Sequence, residues 1–147
     1  MRTSFFLITL AALLLGSCGD SSLELNQTKE LNGSWMITDT LLYQFSDQEL
    51  ENKDLQIEIA YTDDFNYENI YLALIDSDNK KKVFSVSLAN QKGQWIGKRF
   101  GKNYKLRKSI SKLVLEGDTK FKIIHQSRED DLQGVVSIGM GLANKST

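Results

Sequence analysis

The stretch LQIEIAY at 55–61 puts Leu55, Ile57, Ile59 and Tyr61 on one side of an extended chain. Gln56, Glu58 and Ala60 fall on the other. Successive side chains of a strand point to opposite faces, so this spelling buries one face and leaves the other to water. The same period recurs in FSVSL (84–88) and in VSIGMGL (136–142), where Val136, Ile138, Met140 and Leu142 share a side. TLLYQF (40–45), NIYLALI (69–75), KLVLE (112–116) and KFKIIHQ (120–126) read as further strands. Turn-forming clusters separate them: DSDNKK (76–81), NQKG (90–93), EGDT (116–119) and LQG (132–134). The one helical candidate, SDQELENKD (46–54), is too short and polar to cover a core. The pattern predicts an all-β domain over 34–147, an antiparallel β-sandwich of about eight strands.

The amino terminus follows different rules. Arg2 precedes an apolar run from Phe5 to Leu15, which ends in Gly16, Ser17 and Cys18. A bilayer-crossing helix needs about 20 apolar residues, and this run is shorter. A charged start, a short apolar segment and small residues at its end describe a secretory signal. Leu15-Gly16-Ser17-Cys18 looks like a bacterial lipobox, in which the cysteine is acylated and becomes the mature N-terminus. Cys18 is the only cysteine, so no disulfide partner competes for that reading. Residues 1–17 are therefore expected to be a signal peptide. Residues 18–33 are expected to be the lipidated N-terminus and a flexible tether spanning about 20 Å on average. Attached acyl chains hold a protein to a membrane by burying methylenes.

Charge sets limits on partners. Without Arg2, 17 Lys and Arg face 19 Asp and Glu. That balance argues against nucleic acid and against a polybasic membrane patch. The surviving 130 residues suit one domain.

Catalytic groupings are hard to find. His125 is the only histidine and sits between apolar neighbours, without the partner that a general base needs. DSDN (76–79) lacks the glycine and the glutamate of a calcium loop and reads as a hairpin turn. REDDL (128–132) reads as a solvated loop. We expect no enzyme activity, no cofactor and no bound metal. The richest segment is GQWIGKRFGKNYKLRK (93–108), read as a long ordered loop. Trp95 there either plugs the sandwich or joins Arg99, Phe100 and Tyr104 in docking a partner. Arg128 is the fifth docking candidate, since exposed Trp, Tyr and Arg are the usual energetic anchors of interfaces.

Four stretches taken in order resemble the gliding-motility lipoprotein family GldH of Bacteroidota. They are SWMITDTLLYQF, DDFNYENIYL, GQWIGKRFGKNY and HQSREDDLQGVVSIGMGL. The second matches at Asp64, Phe65, Tyr67, Asn69 and Tyr71, the third at Gly93, Trp95, Gly97, Gly101 and Tyr104. The fourth matches at Gln126, Arg128, Leu132, Gly134, Val135, Ile138 and Gly139. Asn66, Ser127, Ser137 and Gly141 depart from the family pattern. The resemblance implies an envelope lipoprotein needed for gliding and linked to type IX secretion. Its implied partners are other envelope lipoproteins or proteins of that machinery, and it carries no catalytic residues over.

Gly19 after the cysteine is not the aspartate that retains enterobacterial lipoproteins at the inner membrane. An outer-membrane anchor with the domain facing the periplasm is expected. One alternative is a lipocalin-like small-ligand binder, because LNGSW (31–35) resembles the Gly-x-Trp start of such barrels. A glycan-binding module is another, with Trp95 and Tyr104 as its platform.

Overall fold

The computed structural model describes residues 24–114 and 116–145, so the expected signal peptide and Cys18 lie outside the described residues. In chain order the strands are β1 (Glu24–Glu30), β2 (Ser34–Met36), β3 (Leu41–Gln44), β4 (Lys53–Tyr61), β5 (Asn69–Ile75) and β6 (Lys81–Ser87). After them come β7 (Lys98–Phe100), β8 (Asn103–Ser109), β9 (Lys120–His125), β10 (Asp131–Gln133) and β11 (Val135–Asn144). A five-stranded sheet, β1-β11-β4-β8-β7, packs on a four-stranded sheet, β3-β9-β5-β6, and β2 pairs with β10 as a separate ribbon. Every pairing is antiparallel. The molecule is the all-β sandwich that the alternation predicts, with eleven strands among the described residues instead of about eight.

The core lies between the sheets. Ile57 and Ile59 of β4 and Ile138 and Met140 of β11 face Tyr43, Leu72, Leu74 and Ile123, all buried. Each such side chain stabilises the fold by about 1.5–3 kcal/mol through apolar burial. The Tyr43 hydroxyl crosses the core and donates to the Ile138 carbonyl at 2.7 Å. Its phenol is pushed far up by burial.

Several expectations need correcting. Residues 24–30, within the expected tether 18–33, form β1, the outer strand of the larger sheet. Over residues 27–30, β1 carries no apolar alternation because its inward positions, Gln27 and Lys29, are polar. Lys29 lies over the Tyr43 ring, 5.9 Å from its centroid. Gln27 bonds the Gln44 main chain of β3, its carboxamide donating to the carbonyl and accepting from the N–H. One side chain thereby satisfies the edge of the opposite sheet and closes a gap where foreign strands would otherwise pair.

KLVLE (112–116) is not a strand. Ile110 N–H bonds the Leu55 carbonyl, and Ser111 Oγ accepts from Leu55 N–H while donating to Asp54. Those bonds pull Ser111–Leu113 into one turn of 3-10 helix. The segment 93–108 is a loop only as far as Gly97, since 98–108 form the β7–β8 hairpin, turning at Gly101 in the left-handed region (φ 60°). DSDN does form a hairpin turn: Asp76 Oδ1 accepts from Asp78 and Lys80 N–H. REDDL is a loop only as far as Asp130, since Asp131 and Leu132 enter β10. The short helix α1 (Asp47–Leu50) is held by a capping box between Ser46 and Glu49.

The lipocalin-like alternative fails on topology. The described strands make two sheets and a ribbon where a lipocalin needs one continuous closed wall. Trp35 is fully buried in the ribbon, its indole N–H donating to the Asp39 carbonyl at 3.1 Å.

Candidate functional site

Register defines two poles. At one, Tyr61 stands opposite both Val135 and Tyr104, and Asn69 stands opposite Ser87. At the other, Leu142 stands opposite both Leu55 and Glu24, where β1 begins. β4 runs nine residues between them, roughly 27 Å. All five residues expected to dock partners lie at the Tyr61 pole, away from the start of β1.

The β7–β8 hairpin carries three of them. Tyr104 stacks on buried Tyr61, with centroids 5.6 Å apart. Arg99 lies over the Tyr104 ring at 5.8 Å and donates through Nε to the Gly101 carbonyl. Phe100 is half exposed, with the ammonium groups of Lys98 and Lys105 each 5.5 Å from its centroid. Such exposed cation–aromatic contacts are worth about 0.5–1 kcal/mol apiece. The hairpin therefore presents an apolar ring bordered by cations on the outer face of the larger sheet.

Trp95 plays a different part. It is half-buried, its indole N–H donates to Asp63 at 2.8 Å, and its ring meets Tyr61, Phe65 and Tyr104. It closes the end of the sandwich and joins the hairpin to the loop after β4. Tyr61 fixes that junction: its hydroxyl donates to the Leu88 carbonyl and accepts the Gly97 N–H, both at 3.0 Å. A side chain on Gly97 would come within 2.6 Å of that hydroxyl, which explains the glycine.

Arg128 stands on another loop of the same pole, beside an open cleft of about 700 Å³. Phe65, Ile70 and Leu132 are buried in its floor, and Tyr67 and Tyr71 rise exposed from its walls. The Tyr67 hydroxyl donates to the Glu129 carboxylate, which pushes its pKa up. Tyr67, Asn69, Tyr71 and Gln126 escaped the reading of the sequence as site residues. Their signal was parity: Asn69 and Tyr71 are polar or aromatic positions facing away from the Ile70 and Leu72 side of an otherwise apolar strand.

His125 lies fully buried under this pole, edge-on to Trp35 with centroids 5.3 Å apart. Nδ1 accepts the Ser127 N–H at 3.3 Å, and burial pushes its pKa down. It is a core residue linking β9 to the β2–β10 ribbon. Among the described residues no cluster of His, Cys, Asp and Glu has the makings of a metal site.

A family model described as GldH lipoprotein matches residues 24–142, which is nearly the whole described sandwich. No curated protein and no solved structure gives a match.

Proposed function

We propose, since this chain belongs to the GldH lipoprotein family, that it is a non-catalytic, lipid-anchored protein of the gliding apparatus. It is held at Cys18 in the outer membrane, faces the periplasm, and supports assembly or stability of the gliding and type IX secretion machinery by protein contacts. The family supplies the lipoprotein character and the link to gliding. The observation that carries the contact mechanism is the segregation of the poles. β1 starts at one end, six residues after Cys18, a reach of at most about 20 Å. Arg99, Phe100, Tyr104 and Arg128 lie at the other end, so the anchored domain offers its Tyr- and Arg-rich pole to proteins away from the bilayer. Large aromatic and arginine side chains dominate the energetics of such contacts.

Deleting the gene is expected to abolish colony spreading, and the wild-type gene to restore it. A Cys18→Ser chain, lacking the thioether-linked lipid, and an Arg99→Glu/Phe100→Ser chain present at normal envelope levels are both expected to fail in restoring it. Normal spreading by the deletion strain overturns the proposal. So does turnover of peptidoglycan or peptide substrates by the purified chain.

A further inference from the structure

The four-stranded sheet has a gap between β5 and β9. β5 pairs with β6 along its whole length, from Asn69 opposite Ser87 to Ile75 opposite Lys81. It pairs with β9 only from Leu72 to Ile75. One more bond, from Gln126 N–H to the Tyr71 carbonyl at 2.8 Å, continues that ladder before the chain turns away. In antiparallel ladders each residue sends both main-chain groups to one side, and the sides alternate. Since the Tyr71 carbonyl faces β9, the Asn69 N–H and C=O face the same way, into the cleft, with no strand opposite them among the described residues.

Around this open edge the side chains favour a particular guest. The floor is apolar, and the exposed Tyr71 shares the outward parity of Asn69. Arg128 stands exposed at the rim without a hydrogen bond or ion pair among the described residues. The neighbouring acid Glu129 is engaged by the Tyr67 hydroxyl, which leaves Glu68 as the other carboxylate at the mouth. A free guanidinium matches a carboxylate through two parallel hydrogen bonds. The open stretch Asn69–Tyr71 is three residues, about 10 Å at about 3.4 Å per residue, room for a short extended segment and far less than a folded domain.

The geometry points to a slot for an extended peptide of a partner protein, added as a short strand beside Asn69–Tyr71, with a peptide carboxylate on Arg128. Main-chain pairing supplies affinity in this mode and the flanking walls supply selectivity. The inference rests on the contact role proposed above and deepens it, by stating what the partner presents. The carboxylate is that of an acidic side chain within the paired segment.

The test uses the acylated full-length protein in detergent and a displayed library of random heptapeptides, one arm with free carboxyl ends and one with the peptides internal. Peptides with Asp or Glu are expected to emerge from the internal arm, and enrichment confined to free carboxyl ends without acidic side chains overturns the side-chain assignment. Asn69→Pro removes the inward N–H without touching the β6 ladder, and should weaken their binding by at least about tenfold. Asn69→Ala keeps the N–H and should bind like wild type. Arg128→Gln, on an exposed side chain with no packing role, should also lose about tenfold or more. No selected peptide, or binding indifferent to Asn69→Pro and Arg128→Gln, overturns the slot. So does a saccharide that binds equally to wild type and Asn69→Pro. These readouts are independent of spreading: peptide binding with normal spreading in the deletion strain supports the slot and sinks only the motility role. Lost spreading with no peptide binding sinks only the slot.

Discussion

A methyl group placed on Gly134 would lie 2.3 Å from the Phe65 amide nitrogen and 2.6 Å from its Cα. The two backbones cross at the Tyr61 pole, where Thr62 N–H bonds the Gly134 carbonyl and Gly134 N–H bonds the Gly33 carbonyl. Gly134 also has φ 85°, so a side chain there is strained twice.

Gly134→Ala is expected to cost at least about 3 kcal/mol, combining left-handed strain with displacement of the loop that floors the cleft. Gly117 shares the positive φ, at 89°, but a methyl there meets nothing within 4 Å. Gly117→Ala should cost only about 1 kcal/mol. Urea midpoints of the two variants measure the difference, and equal losses would show that the close approach is not limiting.

Tyr61→Phe removes one hydroxyl and leaves the Gly97 N–H unpaired, while the Leu88 carbonyl keeps the Ile96 N–H. Leaving a buried partner unsatisfied costs about 1–3 kcal/mol. The local consequence is more telling: hydrogen exchange at the Gly97 amide should accelerate, while amides of β9 and β11 follow only the global change. Unchanged exchange at Gly97 would mean that Trp95 alone holds the hairpin.

His125 gives stability a pH dependence with a definite sign. Burial holds its folded pKa below the ordinary 6.5, so below that pH the unfolded chain binds more protons. The stabilisation is present above pH 6.5 and is lost as pH falls through the lowered folded value. Urea midpoints should therefore drop between pH 7.5 and 5.5. A His125→Gln chain, weaker at pH 7.5, should show a flat profile over the same range. Asp54 does not contribute in this window. Burial raises its pKa, but hydrogen bonds from Ser109, Ser111 and Gln56 and the Lys145 charge outweigh that and hold it low.

Gln27→Ala opens the clasp between β1 and β3. The loss of two exposed hydrogen bonds should cost about 1 kcal/mol. Faster exchange at the Gln44 amide, which donates to Gln27 Oε1 at 3.2 Å, is the specific signature. A Gln27→Ala chain that aggregates at concentrations where wild type stays dispersed would mark β3 as the edge being protected.

Central strands were legible because burial forces their alternation. β4, β5 and β11 pack between neighbours, so the inward spelling of LQIEIAY and NIYLALI carries over into register, although Glu58 and Ala60 on the other face of β4 are buried too. VSIGMGL follows it only from Ser137, after a bulge at Val136. β1 was invisible for the opposite reason: Gln27 and Lys29 point inward at the margin of the sandwich, where polar side chains reach main-chain groups or an aromatic face. β2 and β10 are three residues each, too short for any period to register. KLVLE alternates as well as a strand does, but hydrogen bonds from Leu55 and to Asp54, distant in sequence, outweigh the local preference.

Apolar periodicity, turn residues and the lipobox spelling by themselves determined a two-faced β chain, its central strands and the expectation of an anchored amino terminus, because each is a local property of adjacent residues. Only the folded arrangement decided that Tyr67, Tyr71 and Arg128 share a cleft, that Trp95 closes one end, and that this end lies opposite the start of β1. Those relations join positions tens of residues apart, and they exist only once backbone pairing and core burial have set which strand lies beside which.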